Sequence, residues 1–449
     1  MSSAPALDGP VDGPVDTSVD TSVDTSAGRP GAAPPAVRAA AAPSVPLSTG
    51  RVARAARQDR MREHNLGLVL AEVVDAREPV SRAQVAGLTG LSRAAVTGLV
   101  DRLVVAGLVA ELAPVAQARA GRPGVPLVPA RRTVAGLGLE VNVDYLGVRA
   151  VDLAGEVLDE RVVHEDLRGS DATAVLARLA AMADEVRAGL AAAGVRLAGT
   201  ALALPGLVDG PVGPSAGTVP VPGGPLRVAP NLGWHDVDLG PTSPVGALAP
   251  LVANEADLAA RAEAHARRGG EPPSFFYVSG EIGIGGASVQ EGELRPGRHG
   301  WAGEIGHVVV GSGPDGRPQR LEAVAGQRAL LAAAGLPAEA PVDALVTALT
   351  GGDAAAAAAV RAGARALGTA LAAVAHVVDV DDVVLGGTFA HLFDAVRPEV
   401  EAVLAELVVH WAWSPVRVTR AQAGDLAALT GGALAVLAGV VAAPTAWGA

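Results

Sequence analysis

The sequence predicts a two-lobed α/β protein preceded by a small helix-turn-helix module. Three observations carry this. Apolar patterns of strand pairs followed by helices occur twice along the 449 residues. Three short helical patterns with a Gly-containing turn before the third precede them. Charge also divides between the two parts. Formal net charge is −12, but residues 51–132 carry 13 Arg against seven acids, a net +6. Residues 1–50 carry five Asp and two Arg, a net −3, so the remainder sums to −15. A basic block fused to a large acidic one suggests a nucleic-acid module joined to something else.

The first 58 residues read as a disordered tail. A tetrapeptide repeat, DGPV-DGPV-DTSV-DTSV-DTS, starts at Asp8, and a Pro/Ala stretch runs on to Ser48. Almost no large apolar side chains are present to offset the entropy of ordering. The basic start and apolar core of a signal peptide are missing. Elsewhere the longest apolar run, residues 433–443, is too short to span a bilayer. A soluble, cytoplasmic protein is expected.

Residues 59–130 hold the module. Leu66, Val69, Leu70, Val73 and Val74 recur at helical spacing over 64–76, and Pro79 stops that helix. Ser81 with Gln84 forms a capping box for a second helix ending near Leu88. After the Thr89-Gly90 turn, Ser92 caps a third helix that buries Val96, Leu99, Val100, Leu103 and Val104 and ends at Gly107. Leu108-Val109-Ala110 and the segment AGRPGVPLVP (120–129) then suit a two-stranded wing. Such a winged helix-turn-helix presents the N-terminal end of its third helix to the major groove. Ser92, Arg93, Ala94 and Thr97 are placed to reach bases or phosphates, Arg102 a phosphate, and Arg119 and Arg122, flanking Gly121, a narrow minor groove.

Beyond the module, the first lobe (133–253) is expected to hold strands at 136–144, 146–153 and 197–204 and a helix at 173–192. The second (254–443) is expected to hold a helix at 254–268, strands at 274–279, 282–290, 382–385 and 416–420, and long helices from 322 onward. The chain contains neither cysteine nor lysine. Disulfides, thiolate catalysis, cysteine zinc sites, Schiff bases and Gly-Lys-Ser phosphate loops are therefore excluded.

Over about 60–440 the chain resembles the ROK family of sugar-responsive repressors and sugar kinases. HGWAGEIGH at 299–307 carries most of the likeness, supported by Pro205-Gly206-Leu207-Val208-Asp209 and Pro230-Asn231-Leu232-Gly233-Trp234. SRAQVAGLTGLSRAAVTGLVDRLVVAGLV looks like the helix-turn-helix of the repressor branch. The resemblance implies an actin-like ATPase (ribonuclease H-like) fold with a sugar cleft between the lobes. It also implies a homodimer or tetramer on a palindromic operator.

Several family positions differ here. The kinases' Asp-x-Gly-x-Thr loop matches Glu140-Val141-Asn142-Val143-Asp144, and Gly-Thr-Gly-Ile-Gly-Gly matches Glu281-Ile282-Gly283-Ile284-Gly285-Gly286. Acids in both loops oppose a triphosphate: like charges about 4 Å apart repel by about 4 kcal/mol at an effective dielectric near 20. Glu255 stands at the catalytic Asp position with a longer side chain. The family's zinc cysteines match Gly313, Asp315 and Arg320, so no metal is expected. The resemblance places the sugar contacts at Asn231, Asn254, Glu255, Glu304, His307 and Glu322. Carboxylates and amides suit hydroxyls that both donate and accept. The expectation is thus a sugar-responsive repressor with operator DNA and a carbohydrate effector as partners, without catalytic residues, cofactor or metal. A sugar kinase that retains a DNA-binding module is the alternative, and a regulator with no small-molecule ligand is a third reading.

Overall fold

The computed structural model describes residues 49–113, 125–209, 224–270, 274–313 and 315–449, with side chains from residue 59 onward. The chain divides into compact units before and after Arg54. Apart from the first turn of helix α1, every element below belongs to the second unit.

Helix α1 (Thr49–Val74) starts well before the expected position. Residues 51–64 lack apolar periodicity, yet they are rich in Arg and Ala with no Gly or Pro, and such residues extend a helix readily. The expected tail boundary at 58 is corrected accordingly; the repeat itself lies outside the described residues. Strand β1 (Val80–Ser81) leads into α2 (Arg82–Thr89), which begins with the expected Ser81–Gln84 capping box and ends at Gly90 with φ 71°. In α3 (Arg93–Val105) the Ser92 hydroxyl accepts from the Ala95 amide. Strands β2 (Val109–Glu111) and β3 (Pro126–Pro129) pair antiparallel, and β1 pairs on the other side of β3. The buried face of these helices, Leu66, Val69, Leu70, Val73, Val85, Val96, Val100 and Leu103, is completed by Leu437, Val440 and Ala449 from the far end of the chain.

The first lobe is built on β4 (Val134–Val141), β5 (Tyr145–Asp152), β6 (Val157–His164), α4 (Ala172–Ala192) and β7 (Arg196–Leu204). Short strands β8 (Leu207–Val208), β9 (Leu226–Ala229) and β10 (Trp234–Val237) form a side sheet. Strand β11 (Leu251–Asn254) then completes a main sheet in the order β11-β7-β4-β5-β6. Helix α5 (Glu255–Ala266) follows directly.

The second lobe holds β12 (Phe275–Gly280), β13 (Ile284–Gln290), β14 (Glu293–Leu294), the hairpin β15 (Val309–Ser312) and β16 (Pro318–Arg320), and helices α6 (Glu322–Ala325), α7 (Gln327–Ala333), α8 (Val342–Thr350) and α9 (Ala354–Val378). Strand β17 (Asp382–Gly387), α10 (Thr388–His391), α11 (Phe393–Leu407), β18 (Arg417–Arg420) and α12 (Ala427–Ala442) complete the chain. The sheet order is β14-β13-β12-β17-β18. By length and composition α9 is apolar enough to cross a membrane, but half of it is buried inside the protein.

One element departs from its expected lobe. Helix α12 packs on β4, β5 and β7 of the first sheet and along α5. Alternation along β4 explains the fit. Leu137 and Leu139 face the core shared with α4, while Gly136 and Gly138 face α12. A Cβ on Gly138 would stand 1.9 Å from the Leu429 carbonyl oxygen, so only glycine admits the helix at this approach. Assigning residues 254–443 wholly to the second lobe therefore misplaces α12. Its sequence is apolar on all sides and gives no direction for packing.

Candidate functional site

The turns that end β4 and β12 bring the two lobes into contact. Glu140, near the end of β4, is 1% exposed. The next residue on its face, Asn142, donates from Nδ2 to Glu140 Oε1 at 3.2 Å and also to Glu281, in the turn between β12 and β13. Asn142 Oδ1 in turn accepts from the Val143 amide at 2.6 Å. One amide thus bridges two carboxylates from opposite lobes.

The electrostatics follow from that enclosure. Burial, then the Glu281 carboxylate, pushes Glu140 up to about 8, against hydrogen bonds from Tyr145 and Asn142. Burial likewise raises Glu281 to about 7, opposed by Asn142 and assisted by Asp144 and Asp425. Glu255, at the first position of α5, is held well above the usual carboxylate range by burial, with Glu281, Glu140 and Glu304 adding to it. Among the described residues, one oxygen of Glu140 and one of Glu255 are enclosed without a hydrogen-bond partner. The base of the cleft therefore carries several acids whose neutral forms are favoured by burial and by one another.

Most of the expected sugar contacts gather around the start of β13. Gly283 separates Asn231, which follows β9, from Glu322, at the start of α6: a Cβ there would lie 2.9 Å from Asn231 Nδ2 and 3.1 Å from Glu322 Oε2. Glu322 Oε2 also accepts from the Ile284 amide at 3.2 Å. Glu304 Oε2 lies 3.9 Å from His307 Nε2. Burial raises Glu304, His307 opposes it and Glu322 adds to it, so the three share one electrostatic neighbourhood. Glu255 Oε1 reaches within 3.8 Å of the Cβ position of Gly285. Asn231, Glu255, Glu304, His307 and Glu322 thus share a polar wall.

Asn254 differs. Its Oδ1 accepts from the Ala256 amide at 2.7 Å and its Nδ2 donates to the Gly206 carbonyl at 2.9 Å. It caps α5 and ties it to the first lobe, so its side chain is already engaged where sugar contact was expected. A side chain before an apolar helix reads equally well as ligand or cap, and the backbone geometry decides for the cap.

On the module, Ser92, Arg93, Ala94 and Thr97 are exposed on the first turns of α3. The Thr97 hydroxyl donates to the Arg93 carbonyl at 2.9 Å, and the Arg93 guanidinium makes no hydrogen bond or ion pair among the described residues. Arg102 is not free. Its guanidinium donates to the Ala449 carbonyl at 2.6 Å, on the core side of α3, and the expected phosphate contact is corrected to a structural one. Arg119 and Arg122 lie outside the described residues. Around the position of the family's zinc motif, His307 Nδ1 faces Arg320 at 3.2 Å. A guanidinium and one imidazole do not make a zinc donor set. Two participants were missed in the sequence: Asp425, in the turn before α12, and Arg77, in the loop after α1. Both act across long sequence separations, and neither carries a local motif.

These features define a class, a two-lobed α/β protein of the actin-like ATPase type with a polar, carboxylate-rich cleft between its lobes. The ROK family model matches residues 137–438, and the chain belongs to the ROK family. It is 30% identical over 277 residues to a putative xylose repressor of Caldicellulosiruptor sp. (strain Rt8B.4), covering 60% of this chain and 66% of that one. The chain spans 62–66% of the length of the xylose repressors it matches. A transcriptional regulator of Mycobacterium tuberculosis (strain ATCC 25618 / H37Rv) is 29% identical over 350 residues, covering 73% of this chain and 75% of that one. Among solved structures, a ROK family transcriptional regulator, a homologue of the E. coli MLC protein, shares the fold with a TM-score of 0.64 and 24% identity. That match covers 85% of this chain and 98% of the other.

Proposed function

We propose that the chain is a cytoplasmic DNA-binding transcriptional regulator, a repressor of carbohydrate-use genes, that takes a monosaccharide between its lobes and transfers no phosphate. Residues 59–130 act as a winged helix-turn-helix, residues 133–253 and 254–426 as the lobes, with α12 joining the first. The observation that carries the reading is the first turn of α3, where Ser92, Arg93 and Thr97 are exposed and Arg93 is unpaired among the described residues, on a chain whose cleft keeps a sugar-suited polar wall. Names of relatives add to it: those matched include xylose repressors and a transcriptional regulator.

The carboxylate bridge of Glu140, Asn142 and Glu281 supports the absence of phosphate transfer. It occupies the meeting point of the two loops where a kinase holds phosphates with amides and hydroxyls. A second copy follows from the chemistry of operator reading, since a helix-turn-helix dimer matches two half-sites about one helical turn apart. The test uses the full chain with ATP, Mg²⁺ and either D-xylose or D-glucose. A sugar that binds only the native state raises Tm, and the expected result is a Tm increase without ADP release. Sustained ADP release with either sugar overturns the reading in favour of the kinase.

A further inference from the structure

The DNA-binding module rests on both lobes, by two different contacts. Its core is shared with the first lobe: Val134 and Leu153 of that lobe, and Leu437 and Val440 of α12, lie among the module's buried side chains. Gly67 lets α1 approach the α12 backbone, since a Cβ there would stand 2.9 Å from the Val441 carbonyl oxygen. Arg196 fastens the same seat, donating to the Ala106 carbonyl at 2.7 Å.

The second contact reaches α5. This helix starts in the cleft at Glu255 and runs 12 residues, about 18 Å at 1.5 Å per residue, to Ala266. Arg77, between α1 and β1, donates from Nη2 to the Ala266 carbonyl at 3.4 Å and from Nε to the Arg268 carbonyl. Asp75 pairs with the Arg268 guanidinium. The last carbonyls of a helix lack intrahelical donors and carry the negative end of its dipole. A guanidinium placed there satisfies both. Two glycines leave it room: a Cβ on Gly270 would stand 3.1 Å from Arg77 Nη1, and one on Gly269 3.4 Å from Nε.

The end of α5 is itself tied to the second lobe. Arg267 is 2% exposed and donates to Asp382 of β17 and to Thr419 of β18, the latter at 3.0 Å. Rotation of the second lobe against the first therefore moves the end of α5 relative to a module seated on the first sheet.

We propose that the Asp75–Arg77 loop, gripping the end of α5, is the coupling contact by which sugar in the cleft alters the DNA-binding module. This rests on the proposed function and adds its route of regulation. Arg77 is here a positioning residue. It touches neither sugar nor DNA in this account.

The test measures binding of a fluorescent duplex carrying the intergenic region beside the gene, with and without saturating D-xylose or D-glucose, in the full-length chain. Couplings of this kind are typically about 5–150-fold, and calorimetric sugar affinity with and without duplex must change by the same factor. In Arg77→Ala, duplex and sugar each bind singly as in wild type, but the factor falls toward one in both directions. Arg77→Lys, which keeps a donor cation at the carbonyls, recovers part of it. Asp75→Asn, which releases Arg268 and leaves Arg77 in place, also lowers the factor and carries the test should Arg77→Ala fold poorly. An Arg77→Ala protein with the wild-type factor overturns the coupling role and leaves the function standing. A wild-type factor of one with both sugars overturns both.

Discussion

Replacing Gly431 with Ala drives a methyl group into the backbone of α5. A Cβ at this position would stand 1.7 Å from the Leu258 carbonyl oxygen and 2.5 Å from its carbon, and both belong to backbone that no side-chain rotation can clear. Carbon contacts under 3.0 Å essentially never occur, so α12 and α5 must part by about 1.3 Å. Overpacking of this kind costs about 1–3 kcal/mol, and the rigid neighbour places this case near 3. Alanine returns about 1 kcal/mol through helix propensity, leaving a net loss of about 2 kcal/mol. Gly439, eight residues along the same helix, supplies the control, because nothing lies within 4 Å of its Cβ position. Gly439→Ala keeps the propensity gain alone and stabilises by about 1 kcal/mol. Urea unfolding followed by far-UV circular dichroism compares the midpoints, which remain informative if the lobes unfold separately. A Gly431→Ala protein as stable as Gly439→Ala refutes the packing of α12 against α5, and with it the layered joint between the lobes.

Three further outcomes follow from the site. Burial raises Asp257 to about 7, with Arg261 opposing and Glu304 adding. Because its folded pKa exceeds the unfolded value near 4, the native state holds a proton that the unfolded state releases, and stability falls as pH rises from about 4 to about 7. Asp257→Asn therefore gives a shallower decline of Tm over that range than wild type, and parallel declines would contradict the assignment. Glu322→Gln exchanges a charged acceptor for a neutral one, and hydrogen bonds to charged groups are worth about 1.5–3 kcal/mol. Sugar affinity by calorimetry is expected to fall about 10-fold or more, and an unchanged affinity would remove Glu322 from the sugar wall. Arg93→Ala is expected to weaken the gene-adjacent duplex by about 1–3 kcal/mol while an unrelated duplex changes little, the mark of a base contact. Equal loss on both duplexes would make Arg93 a phosphate contact.

Local chemistry was legible in the sequence, and long-range placement was not. The Ser81–Gln84 capping box, the Ser92 cap and the first-lobe helix now seen at Ala172–Ala192 were read from a few adjacent residues, because caps and helical periodicity are decided within a turn or two. Strand β6 escaped notice because VLDERVVH is largely solvent-facing, so its charges hide the alternation of a buried strand. Five of the six residues expected to contact sugar come together in one polar wall, yet Asn254 proved to be a cap and Arg102 a tether for Ala449. Both residues have polar partners that residue type alone does not reveal. Arg77 and Asp425 were invisible for the same reason: their neighbours lie far off in sequence, 189 or more positions away for Arg77 and at Glu281 for Asp425.

Everything proposed for this chain depends on operator binding and sugar binding being joined in one molecule. Fluorescence anisotropy of the gene-adjacent duplex, titrated with wild-type protein at fixed salt, measures that link. Binding is expected to weaken about fivefold or more in saturating D-xylose or D-glucose. Binding unchanged by both sugars, or no preference for that duplex over unrelated DNA, would contradict it.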